Sequence, residues 1–121
     1  MKSFDIKTKI YFGDQALDRL SEIPYQRVLV ITDPFMAQSS MINLVTDPLK
    51  KGRKEFEIFQ DVVPDPPIEK ISEGVKKMLE YRPDVIVAVG GGSAIDSSKS
   101  IREFALRVDR YGEVGLIAIP T

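Results

Sequence analysis

The sequence contains no cysteine and no histidine. The first absence excludes disulfides, thiol catalysis and thiolate-bound zinc. The second removes the commonest general base and metal ligand, so no Ser-His or Cys-His nucleophilic pair can form within it. An excess of one charge is also lacking: 17 Lys and Arg against 18 Asp and Glu leave a net charge of −1. No overall field therefore draws the chain onto nucleic acid or an anionic membrane. The densest basic run, residues 50–54, is interrupted by Gly52 and reads as a solvated helix end. No apolar run approaches the length that spans a bilayer. The first ten residues lack the continuous apolar stretch of a signal peptide. These absences predict a cytoplasmic protein with neither nucleic acid nor membrane as partner.

What is present fits one globular domain. A chain of 121 residues, 43% hydrophobic and 29% charged, can bury a core without staples. Phe4, Ile6, Thr8, Ile10 and Phe12 alternate with mostly polar residues, which predicts an extended opening segment. Ala16, Leu17 and Leu20 predict a short helix ending before Pro24. Val28, Leu29, Val30 and Ile31 form a continuous β-branched apolar run, the pattern of a strand covered on both faces. Residues 41–51 read as helical with Pro48 inside, so the helix either bends there or restarts with Asp47 as a cap. Residues 55–60 predict a strand, and the three prolines of residues 62–67 an extended connector. Ile68, Ile71, Val75, Met78 and Leu79 recur at helical spacing over about three turns. Residues 85–89 form the most strand-like run. Ala94, Ile95, Ser98, Ile101, Ala105 and Val108 then predict one face of another helix, and residues 116–119 a last buried strand. Such alternation argues for a Rossmann-like α/β fold, a parallel sheet flanked by helices with right-handed crossovers. A chain stopping one residue after Pro120, beyond an apolar strand, is expected to be part of a longer protein.

The chemistry concentrates in VIVAVGGGSAIDSSK, residues 85–99. A buried strand ends in three glycines and a helix begins at once. Glycines let a ligand approach the backbone, and the unpaired amides and positive dipole end of a helix start attract phosphate. The motif departs from G-x-G-x-x-G. The bland alternative is a tight turn, with Ser93 and Asp96 forming a capping box. Asp33 closes the first apolar strand. It can accept the hydroxyls of an adenosine ribose and repel a 2′-phosphate, or it can cap a helix whose first residue is Pro34. Asp65 sits clamped between prolines, either at a ligand or in a rigid surface turn. Lys99 is spaced for an ion pair with Asp96.

Taken together, the motifs resemble the iron-containing (group III) alcohol dehydrogenases. GGGSAIDSSK (residues 90–99) resembles that family's GGGSxxDxxK signature, and VVPDPP (residues 62–67) its V-x-P-N-P segment. LIAIPT (residues 116–121) resembles the strand leading to its T-x-G-T-G-S-E loop, and the opening strand with Phe12-Gly13 and the VLVITD run complete the order. The resemblance implies a dehydroquinate synthase-like NAD(P)-binding domain over residues 1–121, followed in the family by a helical domain that holds iron or another divalent metal. It implies that Asp33 meets the adenosine ribose, that Gly91, Gly92 and Ser93 hold the pyrophosphate, that Asp96 lines the same cleft and that Thr121 begins a loop over the cofactor. Asp65 stands where the family usually has Asn. The implied reaction is hydride transfer between a primary short-chain alcohol or its aldehyde and NAD, with NADP less favoured. No metal ligand can be carried over, because the family's Asp and three His ligands lie beyond residue 121. A glycerol dehydrogenase or dehydroquinate synthase-like domain, or a stand-alone nucleotide-binding module, remains open, as does association of the chain into a homo-oligomer.

Overall fold

The computed structural model describes residues 8–10 and 17–121. Five strands form one sheet: β1 (Thr8–Ile10), β2 (Arg27–Ile31), β3 (Glu55–Phe59), β4 (Val85–Gly90) and β5 (Gly115–Pro120). Their order is β1-β5-β4-β2-β3, and every neighbouring pair is parallel. They are accompanied by the α-helices α1 (Pro34–Gln38), α2 (Asn43–Lys51), α3 (Ile68–Tyr81) and α4 (Gly92–Val108). Short 3-10 turns occupy Arg19–Glu22 and Ser40–Ile42.

The apolar runs become strands because both faces of the sheet are covered. Leu29, Ile31, Ile86, Ala88 and Leu116 pack on one face against Ile71 and Met78 of α3 and Ala94, Ile101 and Ala105 of α4. Val28, Val30, Val85, Val87, Ile117 and Ile119 pack on the other against Met36, Val45, Leu49 and Leu20. Burying each such side chain contributes about 1.5–3 kcal/mol. The fold is thus a three-layer α/β arrangement, as the alternation predicts. β5 lies inside the sheet, between β1 and β4, as the reading of residues 116–119 as a buried strand expects. β3 is an edge strand. Its alternating exposure leaves Glu55 and Glu57 outside, where they pair with Arg27 and Lys77.

Several local readings change. α2 runs through Pro48 as one helix, so Asp47 restarts nothing. Pro48 is the sixth of the 9 residues of the helix, and its carbonyl accepts from Gly52 N at 2.9 Å. α3 is 14 residues long and ends on Arg82 in a left-handed conformation (φ 54°), whose amide donates to Met78 O at 2.7 Å. Val108 is exposed, lining a surface groove between α3 and α4 with Ile68, Val75 and Phe104. Among the described residues Lys99 forms no ion pair with Asp96. Of the opening segment only Thr8–Ile10 is described; Ala16 and the Phe12-Gly13 pair lie outside the described residues. No helix among the described residues is long and apolar enough to cross a membrane.

Tyr111 gives the fold a pH signature. Its hydroxyl donates to Pro83 O at 2.7 Å, and burial pushes the phenol up to about 12, against the lowering effect of Arg82. A folded-state pKa above the unfolded value near 10 stabilises the fold below pH 10, and that contribution is lost as pH rises through 12. In denaturant melts between pH 9 and 12, the stability difference between the unaltered chain and Tyr111→Phe should shrink. A constant difference would show that the phenol titrates alike in both states.

Candidate functional site

The topology makes a crevice at one place. From β2 the chain proceeds through α1 and α2 to β3 on one side. From β4 it proceeds through α4 to β5 on the other side, over the opposite face. β2 and β4 are neighbours, so their carboxyl ends flank the point where the winding reverses, the usual ligand position in open parallel sheets. Asp33 follows β2, and residues 90–92 follow β4.

Gly90 has φ +139°, a conformation side chains rarely adopt. A Cβ there would lie 3.2 Å from Ala94 Cβ and 3.6 Å from Asp33 Oδ2, which shows how near the carboxylate stands to the turn. Gly91 is the extended N-cap of α4, and Gly92 is its first residue. A Cβ on either would meet nothing within 4 Å among the described residues. The protein's own packing therefore has no need of glycine at 91 and 92; the bare surface there is open to something from outside. The predicted capping box is absent. α4 begins at Gly92, no side chain among the described residues caps it, and Ser93 and Asp96 lie inside the helix, both exposed. The first helical amide with a backbone acceptor is Ile95, which donates to Gly91 O at 3.3 Å. The amides of Gly92, Ser93 and Ala94 thus have no intrahelical acceptor, at the positive end of a 17-residue helix. Such an end suits an anion.

Asp33 does cap its helix. One carboxylate oxygen, Oδ1, accepts from Met36 N at 2.7 Å, with Pro34 at the first helical position. Oδ2 is the oxygen nearer the glycine turn. The cap and ribose readings are compatible, since each uses a different oxygen. Thr121 N donates to Gly90 O at 3.2 Å, so the last residue also stands beside the turn. On the α3 and α4 side, Asp65, Ser93 and Asp96 line one cleft of about 310 Å³ with Pro66, Ile71, Ser97 and Ser100. Asp65 holds a left-handed backbone (φ 45°). Two residues escaped the sequence reading. Ser97 is buried in that cleft wall, its hydroxyl without a partner among the described residues. Thr32, fully buried, donates through Oγ1 to Val89 O at 2.8 Å. Period-two patterning marks buried positions, and neither hydroxyl carries a signal of its own there.

The family model for iron-containing alcohol dehydrogenases matches residues 7–121. The chain belongs to the iron-containing alcohol dehydrogenase family. Within it, this family member is 36% identical over 125 residues to a 1-propanol dehydrogenase, PduQ, of Citrobacter freundii, covering 100% of the chain and 32% of that protein. It is 31% identical over 102 residues to an NADPH-dependent butanol dehydrogenase of Clostridium saccharobutylicum, covering 84% of the chain and 26% of that protein. The solved iron-containing alcohol dehydrogenase of Thermococcus thioreducens superposes with a TM-score of 0.77 at 30% identity, over 95% of the chain and 36% of that structure. The chain thus spans about a third of the length of the relatives it matches.

The family's iron does not fit the residues described. The sequence offers no histidine or cysteine, and among the described residues no three acidic side chains gather. A dinucleotide does fit: unpaired amides, two glycines whose missing side chains leave open space, and a carboxylate oxygen beside them.

Proposed function

We propose that this chain is the NAD-binding part of an alcohol dehydrogenase that oxidises primary short-chain alcohols, or reduces the corresponding aldehydes. The observation carrying this reading is the uncapped start of α4 behind Gly91 and Gly92, beside Asp33 at the reversal of the sheet. The pyrophosphate takes the amides of Gly92 and Ser93, and Gly91 lets it approach. Asp33 Oδ2 accepts from the adenosine ribose. Thr121 closes over the adenosine side, while Asp65 and Asp96 line the cleft beyond the phosphates. Bound NAD supplies the hydride acceptor: a carbon-bound hydrogen leaves the alcohol with its electron pair, and the hydroxyl proton goes to solvent. This chain's residues bind and orient the dinucleotide. The similarity to a propanol dehydrogenase supports the short-chain substrate. The family's metal chemistry belongs to residues outside this chain, so the chain alone should turn over no alcohol with any added divalent metal.

The choice between NAD and NADP rests on Asp33, because a carboxylate repels a 2′-phosphate. An NADPH-dependent relative makes this the point to test. Fluorescence titration should find NADH bound more tightly than NADPH. Asp33→Asn keeps an oxygen for the Met36 amide, so the helix cap survives. It removes the charge, so the preference should move toward NADPH by about tenfold, the effect of ~1.4 kcal/mol. Tighter NADPH binding by the unaltered chain would overturn the NAD assignment. Absence of binding to either would overturn the nucleotide reading.

A further inference from the structure

We propose that Thr32 is a positioning residue for the phosphate cradle, holding one of the two peptide planes that set the direction of the α4 amides. The idea rests on the nucleotide reading above for its function, but its physical basis stands apart. A Cβ on Gly91 or Gly92 would meet nothing within 4 Å, so no side-chain packing holds them, and the Ile95 amide that donates to Gly91 O at 3.3 Å comes from α4 itself. The link from the helix start back to the sheet lies at Gly90. The dihedral angles of Gly90 are set by the two peptide planes on either side of it. The first plane carries the Val89 carbonyl, which accepts from Thr32 Oγ1 at 2.8 Å on the β2 side. The second carries the Gly90 carbonyl, which accepts from Thr121 N at 3.2 Å, on the β5 side. Pulled from opposite sides, the planes hold Gly90 at φ +139°, a conformation that glycine does not favour over its other options.

Thr32 is suited to this by its own fastening. Its amide donates to Phe59 O at 3.0 Å, so the residue ties the end of β3 with its main chain and the end of β4 with its side chain. It is fully buried, where a hydroxyl–carbonyl bond does not exchange with water. The next residue is Asp33, whose carboxylate flanks the turn. One threonine thus sets the spacing between the proposed ribose acceptor and the proposed phosphate donors.

Thr32→Val keeps the side-chain shape and removes the hydroxyl; Thr32→Ala removes it without the extra methyl; Thr32→Ser keeps it. Two readouts apply to the full chain. Backbone order parameters from 15N relaxation at Gly90, Gly91 and Gly92 should fall in the valine and alanine variants from about 0.85 towards 0.6, and hold in the serine variant. ADP binding should weaken about tenfold in the first two, the effect of one lost buried hydrogen bond, and recover with serine. Unchanged order parameters in the valine and alanine variants overturn the proposal, whatever the binding. If they fall as expected while the unaltered chain binds no ADP, the positioning role stands and the nucleotide reading fails. Loss in the serine variant equal to that in valine would also overturn it, because the hydroxyl would then not be the cause.

Discussion

Gly91→Val should abolish nucleotide binding while costing the fold little, about 1 kcal/mol for the poorer helix cap. The two halves of that expectation come from one measurement of space. A Cβ at position 91 would meet no described atom within 4 Å, so the protein itself loses only the better N-cap residue. A bound pyrophosphate must occupy that same space to reach the amides of Gly92 and Ser93. Hydrogen bonds from amides to a charged group contribute about 1.5–3 kcal/mol each, so displacing the ligand should weaken ADP binding on the order of 100-fold or more. Gly90→Ala is the converse. Position 90 has φ +139°, and the new methyl would lie 3.2 Å from Ala94 Cβ. That strain should lower stability by about 1–3 kcal/mol, seen as a lower denaturation midpoint. Equal binding by the Gly91→Val chain would mean that no phosphate sits at this turn.

The second large effect is structural and lies far from the site. Gly52 ends α2 with an ordinary φ of −81°, so conformational freedom is not why it is glycine. A Cβ there would come within 2.3 Å of Ser21 O and 2.8 Å of Ser21 Cα, both backbone atoms of the Arg19–Glu22 turn. Backbone cannot swing aside as a side-chain tip can. Gly52→Ala should therefore push the turn, with the buried Leu20, off the sheet face and destabilise the chain by about 1–3 kcal/mol. Gly112→Ala is the control, because a Cβ there meets nothing within 4 Å. Thermal unfolding should separate the two by roughly 5–15 °C. Equal melting temperatures would show that the turn yields without cost.

The sheet was legible because β2, β4 and β5 are buried on both faces. Continuous runs such as Val85 to Val89 do not depend on register, so composition alone identifies them. The carboxyl-edge position of Asp33 and the glycine turn followed from alternation and the handedness of crossovers, both general constraints. The start of α4 was not legible in detail. Ser93 and Asp96 match the capping pattern, yet Gly91 already serves as N-cap, placing Ser93 inside the helix where its side chain no longer reaches an orphan amide. Val108 continues the helical period of α4, but periodicity does not reveal which apolar positions a neighbouring helix leaves uncovered. Thr32 and Ser97 were invisible for a different reason: a hydroxyl's role depends on which carbonyl or cavity lies opposite, and that is a tertiary fact.

The acidic rim of β3 bears on how these molecules meet one another. Its outer edge offers unpaired main-chain groups that another sheet could extend. A second sheet added there would have to accommodate the charged side chains of Glu55 and Glu57 together with their partners Arg27 and Lys77. Charged side chains on an open edge strand are one way in which folds hold back sheet-to-sheet growth.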